Sequence, residues 1–379
     1  VVSTGGNDKC VFVWKTEMEE LEEDTEPQEM EEELVLKDKS KTQEKSKQKL
    51  EKALESNNPN SYFNLEDMGE GDQFMAVKPG KGSMRPPSNF KRLPRNQTRP
   101  PNVRVELEFV HGYRAKDSRN NLRYLPDGKI IYHAAGLGIV YQKQTHSQQF
   151  FNKHSDDIIA FSVSKSGNLA ASGEVGRWPS IYVWNTYSMV PVAHFKKPLQ
   201  KGIAALDFSP SETKLVAAGL DDNHSIAVYN LNTNALVASF KGDTNKILDL
   251  AWISEGEFVT TGVKHYKLWR ISGSRVKASR GKFRKLNSCL VGLTVQGNTA
   301  LCGNLTGHLI RWQGSTPTKA AQVHSKALDS LWAGNSVIVS GGKDGFVFIL
   351  DNEFNKRQSF DFNSLNLMSP MVRSACLNQ

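Results

Sequence analysis

From residue 154 onward, short apolar runs alternate with glycine-centred polar turns. One pattern recurs: small residues ending in glycine, a brief turn, then an apolar run that often ends in tryptophan. It reads STGGNDKCVFVW (3–14), ASGEVGRWPSIYVW (171–184), AAGLDDNHSIAVY (217–229), TTGVKHYKLW (260–269), LCGNLTGHLIRW (301–312) and VSGGKDGFVFIL (339–350). Gly173, Gly219, Gly262, Gly303 and Gly341 are spaced by 46, 43, 41 and 38 residues. That period is the size of one four-stranded propeller blade. The unit near Ile158 supplies the strands IIAFSV, NLAAS, IYVW and VAHF, and the next supplies IAALDF, KLVAAG, IAVYN and LVASF. These runs alternate weakly and are apolar on both faces, as suits strands packed between neighbouring blades. The glycines fit tight turns or close backbone approach. Trp184, Trp269 and Trp312 read as packing anchors between blades.

The pattern predicts an all-β chain built as a WD-type β-propeller that is incomplete within these residues. Five complete blades fall between about 154 and 362, and MVRSACLN (371–378) reads as the first strand of another. A ring leaves unpaired edges unless it closes, so the expectation is that the protein continues past Gln379. Residues 1–16 read as the end of a blade belonging to a preceding propeller.

Charge changes the picture before residue 102. Net charge is +8, but residues 17–36 hold eleven acidic residues and no basic one, residues 37–52 are lysine-rich, and Lys78 to Arg104 carry eight basic residues and no acidic one. Such blocks read as solvated linker or charged helix, here over 17–101. Six prolines between 79 and 101 argue against regular structure there and favour an extended arm. Lys78, Lys81, Arg85, Lys91, Arg92, Arg95, Arg99 and Arg104 on this arm form a candidate partner-binding stretch for an acidic surface. The neighbouring acidic block argues against nucleic acid as the partner.

No run approaches the length of a membrane span, and no signal-peptide pattern is present. Cys10, Cys289, Cys302 and Cys376 show no paired spacing, which argues against a disulfide framework or zinc site. The sequons at Asn96 and Asn304 read as unmodified. No phosphate-binding loop, zinc-protease helix or nucleophile elbow occurs, so no enzyme activity, metal or cofactor is expected. His154 and His324 precede the first strands of their units and are expected to tie turns by hydrogen bonds. Asp156, Asp157 and Asp344 sit at blade turns, where Asp bonds its local backbone. Asp222, Asn223 and His224 form a polar loop within reach of a partner.

Residues 103–153 read VRVELEFVHGYRAKDSRNNLRYLPDGKIIYHAAGLGIVYQKQTHSQQFFNK and run directly into HSDDIIAFSVSKSGNLAASGE. This resembles the HELP motif of the echinoderm microtubule-associated protein-like family, joined to that family's first WD-type blade. The resemblance rests on Leu107, Glu108, Val110, Gly112, Tyr113, Arg114, Asp117, Arg119, Asn121, Leu122, Leu125, Gly128, Tyr132 and Ala134, followed by His154, Asp156, Asp157 and Ile158. It places a HELP motif at 102–153 and blades at 154–379. It implies a structural role for the motif and a microtubule- or tubulin-binding scaffold in the cytoplasmic cytoskeleton; the ciliary axoneme is a further expectation, as a place where long repeat scaffolds are useful. The alternative is a generic WD-repeat interaction platform for other cytoskeletal or ciliary proteins, with only indirect contact to tubulin. A blade end, a linker and a HELP motif together resemble the long family members with tandem units. Departures are Ala115 where glycine is usual, Glu174 where glutamine is common, and the missing Trp-Asp dipeptide: Trp14-Lys15, Trp184-Asn185, Trp269-Arg270 and Trp312-Gln313 stand instead. The family's trimerising coiled coil is not visible.

Overall fold

The computed structural model describes residues 103–115, 117–283, 286, 289–365 and 369–378, with side chains from Glu106 onward, and four short strands before Val103. Six four-stranded antiparallel sheets follow one another, each ordered a-b-c-d. Blade 1 comprises Arg123–Tyr124, Ile130–Ala134, Leu137–Gln142 and Ser147–Phe151. Blade 2 comprises Ile158–Val163, Leu169–Glu174, Ile181–Asn185 and Pro191–Phe195. Blade 3 comprises Ile203–Phe208, Lys214–Gly219, Ile226–Asn230 and Ala235–Phe240. Blade 4 comprises Ile247–Ser254, Glu257–Gly262, His265–Ser272 and Arg275–Arg280. Blade 5 comprises Leu290–Gln296, Thr299–Asn304, His308–Gln313 and Thr316–Gln322. Blade 6 comprises Leu328–Ala333, Ile338–Gly342, Phe346–Leu350 and Lys356–Asp361. The fold is thus an all-β six-bladed propeller. Blade 1 comes from within the HELP segment and adds to the five blades marked by the glycine repeat.

The core lies between blades. Phe151 at the end of one strand d stacks on Trp184 of the next strand c at 4.8 Å. Phe195 meets Tyr229 at 4.2 Å and Phe240 meets Trp269 at 5.0 Å in the same way. Offset aromatic packing of this kind adds to the simple gain from burying apolar area. The strand-a register shifts at the same place in blades 2 to 6, between Ile158/Ala160, Ile203/Ala205, Ile247/Asp249, Leu290/Gly292 and Leu328/Ser330. A bulge there bends and twists the inner strand.

Three of the repeat glycines have one cause. A methyl on Gly173 would come within 2.6 Å of Ile203, on Gly303 within 2.5 Å of Leu328, and on Gly341 within 2.5 Å of Val372. Ile203 and Leu328 open the strands a of the following blades, so Val372 occupies the equivalent place after blade 6. Its segment is extended and tied on both sides. Val372 N donates to Gly342 O (3.1 Å), Ala375 N to Ser330 Oγ (2.9 Å) and Asn120 N to Arg373 O (3.1 Å). Residues 371–378 thereby link the last blade to the entry of the first.

Ahead of the blades, Val2–Thr4, Val11–Met18 and Val103–His111 form a three-stranded sheet. Met75–Val77 pairs with Gly82–Met84. The expected lack of regular structure from residue 79 on is therefore corrected at 82–84. Pro79 falls between the two strands in sequence, outside the ladder where its missing N–H would matter.

Candidate functional site

The HELP segment enters the ring through a polar network. The Tyr113 hydroxyl donates to Asn121 Oδ1, and Asn121 Nδ2 donates to Arg114 O (2.8 Å) and to His133 Nε2 (3.2 Å). Ser118 Oγ also lies 3.2 Å from His133 Nε2. With that nitrogen accepting, His133 is neutral, and burial pushes it down to about 3. Burial pushes the Tyr113 phenol up to about 12. The buried Arg114 guanidinium grips Asp117 (2.7 Å) and Asp157 (2.8 Å), which fastens the motif to the turn that begins blade 2. Gly112 takes φ 131°, a conformation suited to glycine. Leu122 N reaches Ser374 Oγ at 3.2 Å. Gln148 has no signal in the sequence, yet its amide pairs with both Val110 N (2.8 Å) and Val110 O (3.0 Å).

Arg119 and Arg123 line a cavity of about 210 Å³ among the inner strands, together with Asp207 and Asp249. Burial pushes both carboxyls up to about 6, against hydrogen bonds to Asp207 from Trp252 N and Ser162 and against the Arg119 charge beside Asp249. Paired perturbed carboxylates are a common mark of acid/base sites. Here they are occupied structurally: Asp207 holds Trp252 N (3.0 Å) and Asp249 holds Leu250 N (2.9 Å). Among the described residues, no group of three or more His, Cys, Asp or Glu is gathered to hold a metal, and no helix is long and apolar enough to cross a membrane.

The blade histidines sit in buried relays. In blade 2, Trp184 Nε1 donates to Ser172 Oγ (3.1 Å), which lies 2.6 Å from His154 Nε2, and His154 Nδ1 lies 3.0 Å from Glu174. Burial would raise Glu174, but bonds from His154 and from Ser180 N and Ser155 N hold it at about 2. Blade 6 repeats the relay through Ser340, His324 and Asp344, at 3.0 and 2.9 Å. Asp156 caps its own turn by accepting from Asp157 N (2.8 Å). Blade 4 holds a relay that the sequence reading missed: Trp269 Nε1 to Thr260 Oγ1 (2.8 Å), Thr260 to His265 Nε2 (2.7 Å), and His265 Nδ1 to Asp243 (3.2 Å). Trp312 is fully buried and its Nε1 has no partner. Asn304, the second sequon, is also fully buried.

The loops joining b to c and d to a share one face of the ring. They bond across blades through Val175 N to Asp157 O, Gly176 N to Lys201 O, Leu220 N to Gly202 O and Lys343 N to Ala327 O. The a–b and c–d turns meet on the other face, as Thr186 N to Asn168 O shows. In the loop of Asp222, Asn223 and His224, Asp222 pairs with Lys201 at 2.5 Å and Asn223 O accepts from Gly242 N. The arm residues Lys78, Lys81, Arg85, Lys91, Arg92, Arg95 and Arg99 lie outside the described residues. Of Arg104 only the backbone, within strand Val103–His111, is described.

Residues 147–378 match the profile of the echinoderm microtubule-associated protein first beta-propeller, and residues 100–139 match that of the HELP motif. The chain belongs to the echinoderm microtubule-associated protein family. Proteins of this family are propellers that are generally non-catalytic. The ciliary WD repeat-containing protein ctxp80 of Euplotoides octocarinatus is 28% identical over 316 residues, covering 76% of this chain and 43% of that protein. The 77 kDa echinoderm microtubule-associated protein of Strongylocentrotus purpuratus is 24% identical over 311 residues, 76% of this chain and 45% of its own length. Human echinoderm microtubule-associated protein-like 1 is 24% identical over 269 residues, 64% of this chain and 32% of its own length. The chain thus spans less than half the length of these relatives.

Proposed function

We propose that this protein is a non-catalytic scaffold that binds tubulin or microtubules, with the propeller and HELP segment as the docking body and the basic arm as an electrostatic adhesive. The reading is carried by the joint match of HELP motif and propeller to the microtubule-associated family. The arm attracts an acidic lattice through many weak contacts, each about 0–1 kcal/mol when exposed and screened over about 8 Å at physiological salt. Co-sedimentation of the full-length protein with polymerised tubulin across a salt series tests it, beside a variant with the eight arm cations neutralised. Binding that weakens with salt and in the variant supports both parts. Binding that survives both moves the contact to the propeller, and an absence of binding sinks the reading.

A second reading, an interaction platform for other ciliary proteins, is favoured by the ciliary relative. A cytoskeletal location is common to both, on cytoplasmic microtubules in the first and in the axoneme in the second.

A further inference from the structure

The two faces of the ring manage charge differently. On the face of the a–b and c–d turns, most cations are matched to acids: Lys129 with Asp127, Lys214 with Glu255, Arg270 with Glu257, Arg357 with Asp351, while Lys143, Lys165 and Arg275 are exposed and in no ion pair among the described residues. On the face of the b–c and d–a loops most acids turn inward, and the exposed Asp222 is paired with Lys201 (2.5 Å). Glu174 and Asp344 are buried against His154 and His324, Asp243 is held by His265 and Lys267, and Asp221 accepts from Ser225 N and Oγ. The cations of that face turn outward. Arg177, Lys196, Lys197, Lys246, Lys264 and Lys326 are all exposed, and among the described residues none of them is in an ion pair. Beside them Trp178 is 45% exposed, with Lys197 Nζ 5.7 Å from its ring centre.

We infer that the loop face of this propeller binds an acidic polypeptide segment, anchored at blade 2 by Arg177, Trp178, Lys196 and Lys197. A field of unmatched cations steers an extended polyanion and holds it through several contacts at once. The exposed tryptophan adds an apolar anchor of the kind that dominates interfaces. Five of the six cations are lysines, point charges suited to scattered carboxylates. A surface built for phosphates favours the bidentate fork of arginine. The inference names a surface for the proposed tubulin docking, and rests on that reading only for the identity of the acidic partner.

The test uses the full-length protein and a fluorescein-labelled dodecamer of glutamate, followed by anisotropy. The expected result is salt-sensitive binding that weakens about tenfold in Lys196→Glu/Lys197→Glu and stays within about twofold in the opposite-face control Lys143→Glu/Lys165→Glu. Quenching of tryptophan emission by the peptide should fall most in Trp178→Phe, since Trp178 is the exposed tryptophan among the described residues. No binding, or equal loss in the control, overturns the inference. Tighter binding of a duplex DNA, lost in the same loop variant, would overturn it in favour of nucleic acid. Co-sedimentation run on the same variants separates the two readings: peptide binding without any pelleting strikes the tubulin assignment and leaves the surface intact.

Discussion

Asp243 Oδ2 lies 3.2 Å from Nδ1 of His265, and each stands where its counterpart's partner stands in the neighbouring relays. In blades 2 and 6 the histidine comes from the d–a loop and the acid from the end of strand b or the b–c loop, as His154 with Glu174 and His324 with Asp344. In blade 4 the acid precedes strand a and the histidine opens strand c. The direction of proton donation is nonetheless the same. Trp269 donates to Thr260, so the Thr260 hydroxyl donates to His265 Nε2 and His265 Nδ1–H donates to Asp243. The pairing is therefore set by which two loops meet, not by which residue each loop carries. His265→Ala should cost about 2–3 kcal/mol, because it opens a cavity in a buried relay, takes the acceptor from the Thr260 hydroxyl and leaves Asp243 to Lys267 and Asn245. Equilibrium denaturation of the variant beside wild type measures it, and a cost below about 1 kcal/mol would show the relay to be dispensable.

That exchange also explains why the blade 4 relay was illegible in the sequence. His154 and His324 announce themselves by position, whereas His265 opens a mixed strand, HYKLWRIS, and Asp243 sits in a lysine-flanked turn. The glycine period was legible because it has a steric cause that recurs, the approach of the next inner strand to Gly173 and Gly303. Blade 1 was not legible as a blade, since its strand b, Ile130–Ala134, holds no glycine and its strands lie within the segment read as the HELP motif. Its place is fixed by contacts distant in sequence: the Gln148 amide on Val110, and Gly138, where a methyl would come within 2.5 Å of Trp184. The charge asymmetry of the two faces needed the fold, because loop-face and turn-face cations interleave along the chain.

Acid stability should reflect two opposed sets of groups. His265 and His133 are pushed by burial from 6.5 to about 4 and about 3. A buried base with a lowered pKa contributes stability that is complete above about 6.5 and is lost as pH falls toward those values. Asp207 and Asp249 are raised from 3.8 to about 6. The folded state binds their protons first, so they add stability as pH falls from about 6 to 3.8. Asp249→Asn removes one compensating gain. Urea midpoints of this variant should fall more steeply than wild type between about pH 6 and 4. Parallel profiles would mean that Asp249 titrates as it does in the unfolded chain.

The tryptophans should not respond alike to loss of the indole nitrogen. Trp184 Nε1 donates to Ser172 and Trp269 Nε1 to Thr260, whereas the buried Trp312 Nε1 has no partner. Cys302 pairs with Ile310, two residues before Trp312, in the register that places Ser172 and Thr260 relative to their tryptophans. Its thiol stands where they present a hydroxyl. Replacement by phenylalanine removes similar volume in all three cases. Trp184→Phe and Trp269→Phe should therefore cost more than Trp312→Phe by about 1–2 kcal/mol, the worth of a buried hydrogen bond with its stranded partner. Denaturation midpoints of the three variants decide it, and equal costs would assign the whole effect to packing.

Asn120 joins the ends of the ring by backbone and side chain together. Its N–H donates to Arg373 O (3.1 Å), and its Oδ1 accepts from Ser330 Oγ (3.1 Å) and Leu331 N (3.2 Å). Its φ of 50° lies in the left-handed region, which asparagine adopts at lower cost than alanine. Two substitutions separate these contributions. Asn120→Gly keeps the backbone conformation and removes the side-chain bonds, so it should cost about 1–2 kcal/mol. Asn120→Ala adds the left-handed strain and should cost about 1 kcal/mol more. Because the lost bonds link blade 6 to the entry of blade 1, hydrogen exchange in Asn120→Gly should rise first at Leu331 and around residues 371–378. Exchange rising evenly over all six blades would mean that the ring is held by its inter-blade cores alone.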